Sequence, residues 1–435
     1  MEKKIDFVGG NTGKCFWIMF LPVMAAMFLN MAYNVVDSLW IGNLLGEKAY
    51  AALTSATPII LILNSVAMGA TNGVAILVSQ ALGAKDEKRT NSVIATSFLL
   101  AILFAVAVTI FLELCLPHIL QILNTPEETW QMAEEYLSIY ILGYITVYLY
   151  CYLTAVLRSF GNAVFQMAAM LVCTVLNAGL DPLFISKMGL KGAAVATVLS
   201  QVICLLFMAV YLKGKHIFSL RLGSFDIRIA GETVKKAIPS VFQQSIPAVS
   251  TGVLTSLVSQ VSITAIAAYG VIGKMEILLF YPAMALNMVL TNIIGQCYGA
   301  KRRDRGMAYL KYALKAGTVM LFVLSLFVVG FAKQISGLFL KDGAVGKIVA
   351  GYFLIVSIGY VLNTVTNCFL GMLNGIGRPA KSMVLMIFYY LIVRIPLAWL
   401  FYQLGLGMNG IWTAVLISHI TASAAAVWAG KKNKK

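Results

Sequence analysis

Twelve apolar stretches, each about as long as a bilayer is thick, recur along this 435-residue chain, and they constrain the fold more than any single motif. A helix needs about 20 predominantly apolar residues to cross. The stretches lie at 15–43, 51–79, 91–114, 134–157, 162–186, 192–213, 237–260, 264–297, 309–332, 348–373, 382–404 and 410–430. They predict an all-α membrane protein with twelve transmembrane helices. Only 11% of residues are charged, against about 25% in soluble domains. The longest polar interval, 213–236, is too short to enclose a core of its own. Pro22 and Pro282 fall in the first and eighth stretches, which exceed the bilayer requirement, so tilt or kinking is expected there. The charged start runs into the first stretch without a small-residue cleavage pattern, so that span is expected to be retained.

The net charge of +16 follows topology. Basic residues sit in short inter-span segments and form no patch interleaved with aromatics, which argues against nucleic acid. With both termini inside, the cytoplasmic side receives Lys3, Lys4, Lys14, Lys85, Lys88, Arg89, Arg158, the 213–236 loop with Arg221, Lys301, Arg302, Arg303, Arg305, Arg378, Lys381 and the tail from Lys431. Only Lys48, Lys187, Lys191, Lys333, Lys341 and Lys347 lie opposite. The positive-inside rule selects this orientation, in a cell inner (plasma) membrane. The acidic group Glu127, Glu128, Glu134 and Glu135 is expected in an outer loop. Seven cysteines are scattered singly with no CxxC pair, which predicts packing and not zinc or redox chemistry.

The chain also repeats itself. Gln80–Lys85 recurs as Gln296–Lys301, Arg89 as Arg305, and the turn Arg158–Gly161 as Asn374–Gly377, all displaced by 216 residues; Pro22 is nearly so displaced onto Pro239. Matches in register predict two pseudo-symmetric six-helix bundles in parallel orientation: residues 1–212, a cytoplasmic linker 213–236, and 237–435. Such pairs place substrate between the halves and work by alternating access.

Polar residues inside the stretches are the candidate sites. Asn177 and Asp181 stand at i and i+4 and share a helix face; Asn30, Asn34 and Asp37 form a similar stripe. Asp37, Asp181 and Thr197 all fall in the outer half of the membrane. An ionised carboxylate there is costly unless it faces a wet cavity or binds a cation. Asp37, Asn177, Asp181 and Thr197 offer oxygen ligands for a hard cation such as Na⁺, or a carboxylate pair that holds a proton. Interhelical hydrogen-bond glue is the alternative, and two aspartates exceed what glue requires.

The Val36–Asp37 pair, the Gln-x-x-Gly-Ala-Lys loops, Asn177-x-x-x-Asp181-Pro182 and Gly192-Ala-Ala-x-Ala-Thr197 together resemble the multidrug and toxic compound extrusion (MATE) family, over nearly the whole chain. The resemblance implies that those four polar residues are the cation and proton site of the amino-terminal lobe. The carboxy-terminal lobe departs from some MATE relatives. Spans seven and ten carry Gln243, Gln244, Asn363 and Asn367 but no carboxylate, which puts a sodium site there in doubt.

The second half holds Lys274, Glu276 and Arg394 instead. Glu276 is expected to be neutralised by Arg394 or Lys274, or to face a cationic-drug cavity with Asn30, Asn34, Met31, Gln243, Tyr281, Met284 and Arg394. Met24, Met27, Met275, Phe280 and Met288 could line the same adaptable cavity or simply pack. His118, His216 and His419 are dispersed, and each is expected at a loop or interface. The expected function is secondary antiport: export of small organic, cationic compounds in exchange for inward H⁺ or Na⁺, by a monomer with no cofactor beyond the coupling ion. A lipid or oligosaccharide-lipid flippase of the same superfamily is the nearest alternative, with Lys274 and Arg394 suited to an anionic headgroup. A channel fits the polar stripes but not the repeats. An enzyme would need a nucleophile and base or a metal set near one face, and no such constellation is present.

Overall fold

The computed structural model describes residues 5–123, 125–215, 225–340 and 342–432. Lys3, Lys4, His216, Arg221, Lys341, residues 433–435 and residues 216–224 of the 213–236 linker lie outside the described residues. Fourteen helices follow in order: α1 (Thr12–Leu45), α2 (Glu47–Gly83), α3 (Glu87–Ile122), α4 (Glu127–Leu142), α5 (Tyr144–Ser159), α6 (Ala163–Met188), α7 (Leu190–Lys215), α8 (Ile227–Ser259), α9 (Ile263–Gly299), α10 (Arg303–Phe339), α11 (Gly343–Gly375), α12 (Pro379–Met386), α13 (Ile395–Gln403) and α14 (Gly407–Lys432). A π-helical segment, Ile387–Arg394, joins α12 to α13. Counting α4–α5 as one bent span and α12–α13 as one continuous span gives the twelve spans expected.

The chain is an all-α, multi-pass membrane protein of two pseudo-symmetric six-helix bundles, and its repeat is visible in the backbone. Helices α9, α10 and α11 begin 216 residues after α2, α3 and α4. Left-handed backbone recurs at the same displacement: Lys85 and Lys301 at φ 56° and 58°, Gly161 and Gly377 at 84° and 81°, Gly189 and Gly405 at 63° and 78°. Three loops therefore turn the same way in both halves.

The halves differ in detail. α4 and α5 meet at a 46° bend at Gly143, whereas α11 continues unbroken through the equivalent Gly359. A Cβ on Gly143 would lie 2.2 Å from Val198, and one on Gly359 would lie 2.6 Å from His419, so each glycine admits a side chain from a neighbouring helix. α8 is the one span among the twelve that falls short in apolarity, because its charge-free part, 237–259, still carries Gln243, Gln244 and several serines and threonines. The acidic group is not in a loop, as expected, but in the first turns of α4. Carboxylates there complement the positive end of the helix dipole.

Two compact units partition the chain: residues 21–241, and residues 1–20 with 242–435. The first is built around a core that includes Ile41, Leu77, Val93, Tyr144 and Leu157; the second around Ile272, Leu279, Phe353, Tyr360 and Trp412. Within the second unit the start of the chain is tied down. Phe7 is buried, Arg305 donates to Thr12 Oγ1 at 3.0 Å and to the Gly10 carbonyl, and Trp17 Nε1 donates to the Tyr312 hydroxyl at 3.0 Å.

Small residues set the closest helix approaches, as membrane packing favours. In the first unit a Cβ on Gly69 would lie 2.4 Å from the Val241 Cα, and one on Gly73 would lie 2.7 Å from the Ala237 Cα. In the second unit a Cβ on Gly371 would lie 2.6 Å from the Asn287 carbonyl of α9, and one on Gly375 would lie 3.0 Å from the Gly295 nitrogen.

Candidate functional site

Three helices of the first unit assemble the four sequence-predicted residues. α6 and α7 form a hairpin whose turn is Gly189, in left-handed conformation; Gly192 then packs against the Phe184 carbonyl, 2.2 Å from where a Cβ would stand. Asp181 and Thr197 each lie eight residues from Gly189, about 12 Å of helix from the turn, so the hairpin brings them to one depth. Pro182 has no N–H to give the Ala178 carbonyl, which leaves a further backbone oxygen without its helical donor beside Asp181.

Asp37, Asn177, Asp181 and Thr197 are all buried. Asn177 Nδ2 donates to Asp181 Oδ1 at 2.9 Å, and the Asp37 and Asp181 carboxyls adjoin each other. Four oxygens stay without a hydrogen-bond partner: Asp37 Oδ1, Asn177 Oδ1, Asp181 Oδ2 and Thr197 Oγ1. Leaving a buried polar atom unsatisfied costs about 1–3 kcal/mol, and native structures contain few. Four in one spot, all with lone pairs to offer, suit a cation or a shared proton. Sequence reasoning missed three neighbours. Tyr33, one turn before Asp37, has a buried and unpartnered hydroxyl against Thr197 and Ser200, and Tyr136 of α4 lies within electrostatic range of both aspartates. Tyr33 and Ser200 were findable by extending each polar stripe by one helical turn.

The candidate cavity residues divide between the two units. Asn30 and Asn34 are exposed and Met31 is half-buried; Asn34 Nδ2 donates to the Asn30 carbonyl at 2.7 Å. In the second unit Tyr281 and Met284 are half-buried, and Gln243 is buried with an unpartnered Oε1. Met275 and Met288 are buried packing residues.

Glu276 corrects the expected pairing. No ion pair joins it to Arg394 or Lys274. The hydroxyls of Tyr352 and Tyr360, both from α11, donate to Glu276 Oε1, and their two oxygens stand 2.9 Å apart. Lys274 is exposed and lies over the Phe339 ring at 5.4 Å. Arg394 is buried: it donates to Ser418 Oγ and the Tyr389 hydroxyl, both at 2.9 Å, and sits over the Tyr389 and Tyr390 rings at 4.9 and 4.5 Å. The π-helical segment widens the helix and presents Tyr389, Tyr390 and Arg394 together, a feature frequent at functional positions. His419, expected at a loop or interface, is buried at the centre of this network, 2.5 Å from the Tyr389 hydroxyl.

Arg394→Lys is expected to lower stability by about 2 kcal/mol, because an ammonium reproduces neither the planar fork nor the ring stacking. Thermal unfolding in detergent measures it; an unchanged midpoint would show that the network carries no stability.

Arg302 bonds Asp304 and holds that exposed carboxyl down at about 2, so it is ionised at neutral pH.

A two-repeat, twelve-span membrane protein with a buried carboxylate pair in its first repeat is the architecture of a membrane transporter. The MatE family model matches the chain twice, over residues 22–183 and 239–400, and the chain belongs to that family. It is 29% identical over 440 residues to a probable multidrug resistance protein, YpnP of Bacillus subtilis, covering 98% of this chain and 96% of that one. It is 24% identical to a FAD transporter of Shewanella oneidensis, covering 99% and 97%. A solved MATE transporter of the MOP superfamily, in an outward-facing conformation, superposes with a TM-score of 0.94 at 24% identity, covering 100% and 98%.

Proposed function

We propose that this protein is a secondary active antiporter that exports small organic, cationic compounds in exchange for inward H⁺ or Na⁺, with both termini cytoplasmic in the cell inner membrane. The four unpartnered oxygens of Asp37, Asn177, Asp181 and Thr197 carry the reading; the kinship with a probable multidrug resistance protein supports the cargo. The cation loads at the aspartate pair from outside. Loading cancels one of the two negative charges on the adjoining carboxylates, and the less charged site packs in a way the fully ionised one cannot, which shifts the equilibrium between access states. Only a difference in cation affinity between those states can do this. Release inside restores the charge, and the cargo then favours return. Each net charge that a turnover moves across the potential is worth about 2.3 kcal/mol per 100 mV, enough for roughly fiftyfold accumulation.

Asn30, Asn34, Met31, Gln243, Tyr281 and Met284 are the proposed contributors to cargo binding. The test is transport of ethidium, a neutral dye and FAD by purified protein in lipid vesicles under separately imposed proton and sodium gradients. FAD belongs in the panel because a relative of this chain is a FAD transporter. Ethidium export that follows one gradient and stops when it is collapsed supports the reading. Equal movement with and without either gradient would identify a passive pathway instead.

A further inference from the structure

We propose that Glu276 is a second and independent proton-binding site, so that each turnover exchanges one proton in the carboxy-terminal half in addition to the cation at Asp37 and Asp181. The proposal rests on the reading of the protein as a cation-coupled exporter. It starts from the partners of Glu276, which are two phenol hydroxyls and no cation.

A carboxylate held by arginine or lysine is served only while ionised. Hydroxyls rotate, and each is both donor and acceptor. Tyr352 and Tyr360 donate to Glu276 Oε1 when it is ionised. When it is protonated the acid donates to one hydroxyl, and the 2.9 Å Tyr352–Tyr360 bond passes the reorientation to the other. Both protonation states are thereby satisfied with no movement of the backbone. The charge that balances the ionised form is Arg394, which interacts with Glu276 electrostatically while its own hydrogen bonds go to Ser418 and Tyr389. The arginine fixes a positive charge in the unit without capturing the carboxylate.

The repeat shows that the tyrosines do not need Glu276. Tyr144 stands 216 residues before Tyr360, and its hydroxyl donates to the Leu63 carbonyl of α2 at 3.0 Å. The residue that corresponds to Glu276 in that half is Ile60. The second half has thus placed a carboxylate where the first half has an alkyl group, within reach of a tyrosine pair both halves possess at 136 and 144, and at 352 and 360.

The titratable and charged groups around Glu276 are Tyr269 and Lys274 from its own helix, Tyr352 and Tyr360 from α11, Tyr389, Tyr390 and Arg394 from the π-helical segment, and His419 from α14. No second carboxylate is among them. Glu276 therefore titrates alone, unlike the aspartate pair, whose proton affinities belong to both members. Two hydroxyl hydrogens pointing at Oε1 suit a proton and repel a metal ion. Binding is simple proton addition to the carboxylate, with no other bond made or broken.

Two measurements on the full chain in lipid test this. The first uses no cargo: infrared difference spectra recorded across roughly pH 5–9, where perturbed carboxyl groups titrate. The C=O stretch of a protonated acid is expected to disappear with rising pH in the wild type and in the Asp37→Asn/Asp181→Asn double variant, to be weakened in Glu276→Gln, and to be missing when Glu276→Gln is added to that double variant. Tyr352→Phe, which keeps the ring, is expected to move its midpoint by about one pH unit, a tenfold change in proton affinity. A Glu276→Gln spectrum identical to the wild type overturns the proposal. The second is the limiting ethidium gradient at zero membrane potential, expected to fall about tenfold in Glu276→Gln per unit of pH gradient, the factor one proton supplies. An unchanged limit with the band lost overturns the coupling role. Failure of the wild type to move ethidium with either ion would overturn the antiport reading, while the spectra would still report on Glu276.

Discussion

Asp37→Asn and Asp181→Asn are each expected to abolish ion-driven export while leaving expression and thermal stability near wild type. Asparagine keeps the volume of aspartate and removes its charge, so packing survives and cation affinity does not. The accumulation at stake is roughly fiftyfold per charge per 100 mV. Because the two carboxyls adjoin, they act as one unit, and the double variant is expected to be little worse than either single one. Asn177→Ala should weaken cation affinity less, since it removes one neutral oxygen and the 2.9 Å donor to Asp181. The measurement is gradient-driven efflux at matched protein levels. Full transport by both single variants with unchanged ion dependence would return the cluster to a structural role.

The second large effect is on folding. Gly73→Leu and Gly371→Leu put a side chain where the nearest atoms are backbone, the Ala237 Cα at 2.7 Å and the Asn287 carbonyl at 2.6 Å. Backbone cannot swing aside as a side chain does, so the helices must separate along the whole contact, at a cost of about 3 kcal/mol or more. Loss of folded protein on size-exclusion chromatography is the expected result for both. Gly330→Ala on α10 is the control, since nothing lies within 4 Å of its Cβ position; it should gain up to about 1 kcal/mol from helix propensity. Normal folding of both leucine variants would mean that these crossings are looser than described.

What the sequence revealed, and what it hid, follows from range. Asp181 and Asn177 were legible because helical spacing alone puts them on one face, and Asp37 because a charge in an apolar run stands out. The two bundles were legible because the Gln-x-x-Gly-Ala-Lys loops repeat letter for letter, and the left-handed Lys85 and Lys301 show that the repeat is one of conformation too. The partners of Glu276 were not legible. Tyr352 and Tyr360 are 76 and 84 residues away, and the ordinary rule that buried charges find opposite charges pointed to Arg394, which the π-helical segment had committed to Tyr389 and Ser418. His419 was hidden for the same reason: its partners come from another helix. The bend at Gly143 had no signature because Gly359, its counterpart, leaves α11 unbroken; what differs is the neighbour that enters, Val198 in one case and His419 in the other.

Antiport at a shared equilibrium requires that cation and cargo oppose each other, and reciprocally. The direct measurement is ethidium affinity of the purified wild-type protein by fluorescence at a series of pH values and Na⁺ concentrations, paired with the release of H⁺ or Na⁺ when ethidium is added. Ethidium affinity is expected to fall as the coupling cation rises, ethidium is expected to displace that cation, and both effects are expected to vanish in Asp37→Asn/Asp181→Asn. Ethidium binding to the wild type that is the same at every pH and Na⁺ concentration, with no cation released, would contradict cation-coupled export at this site.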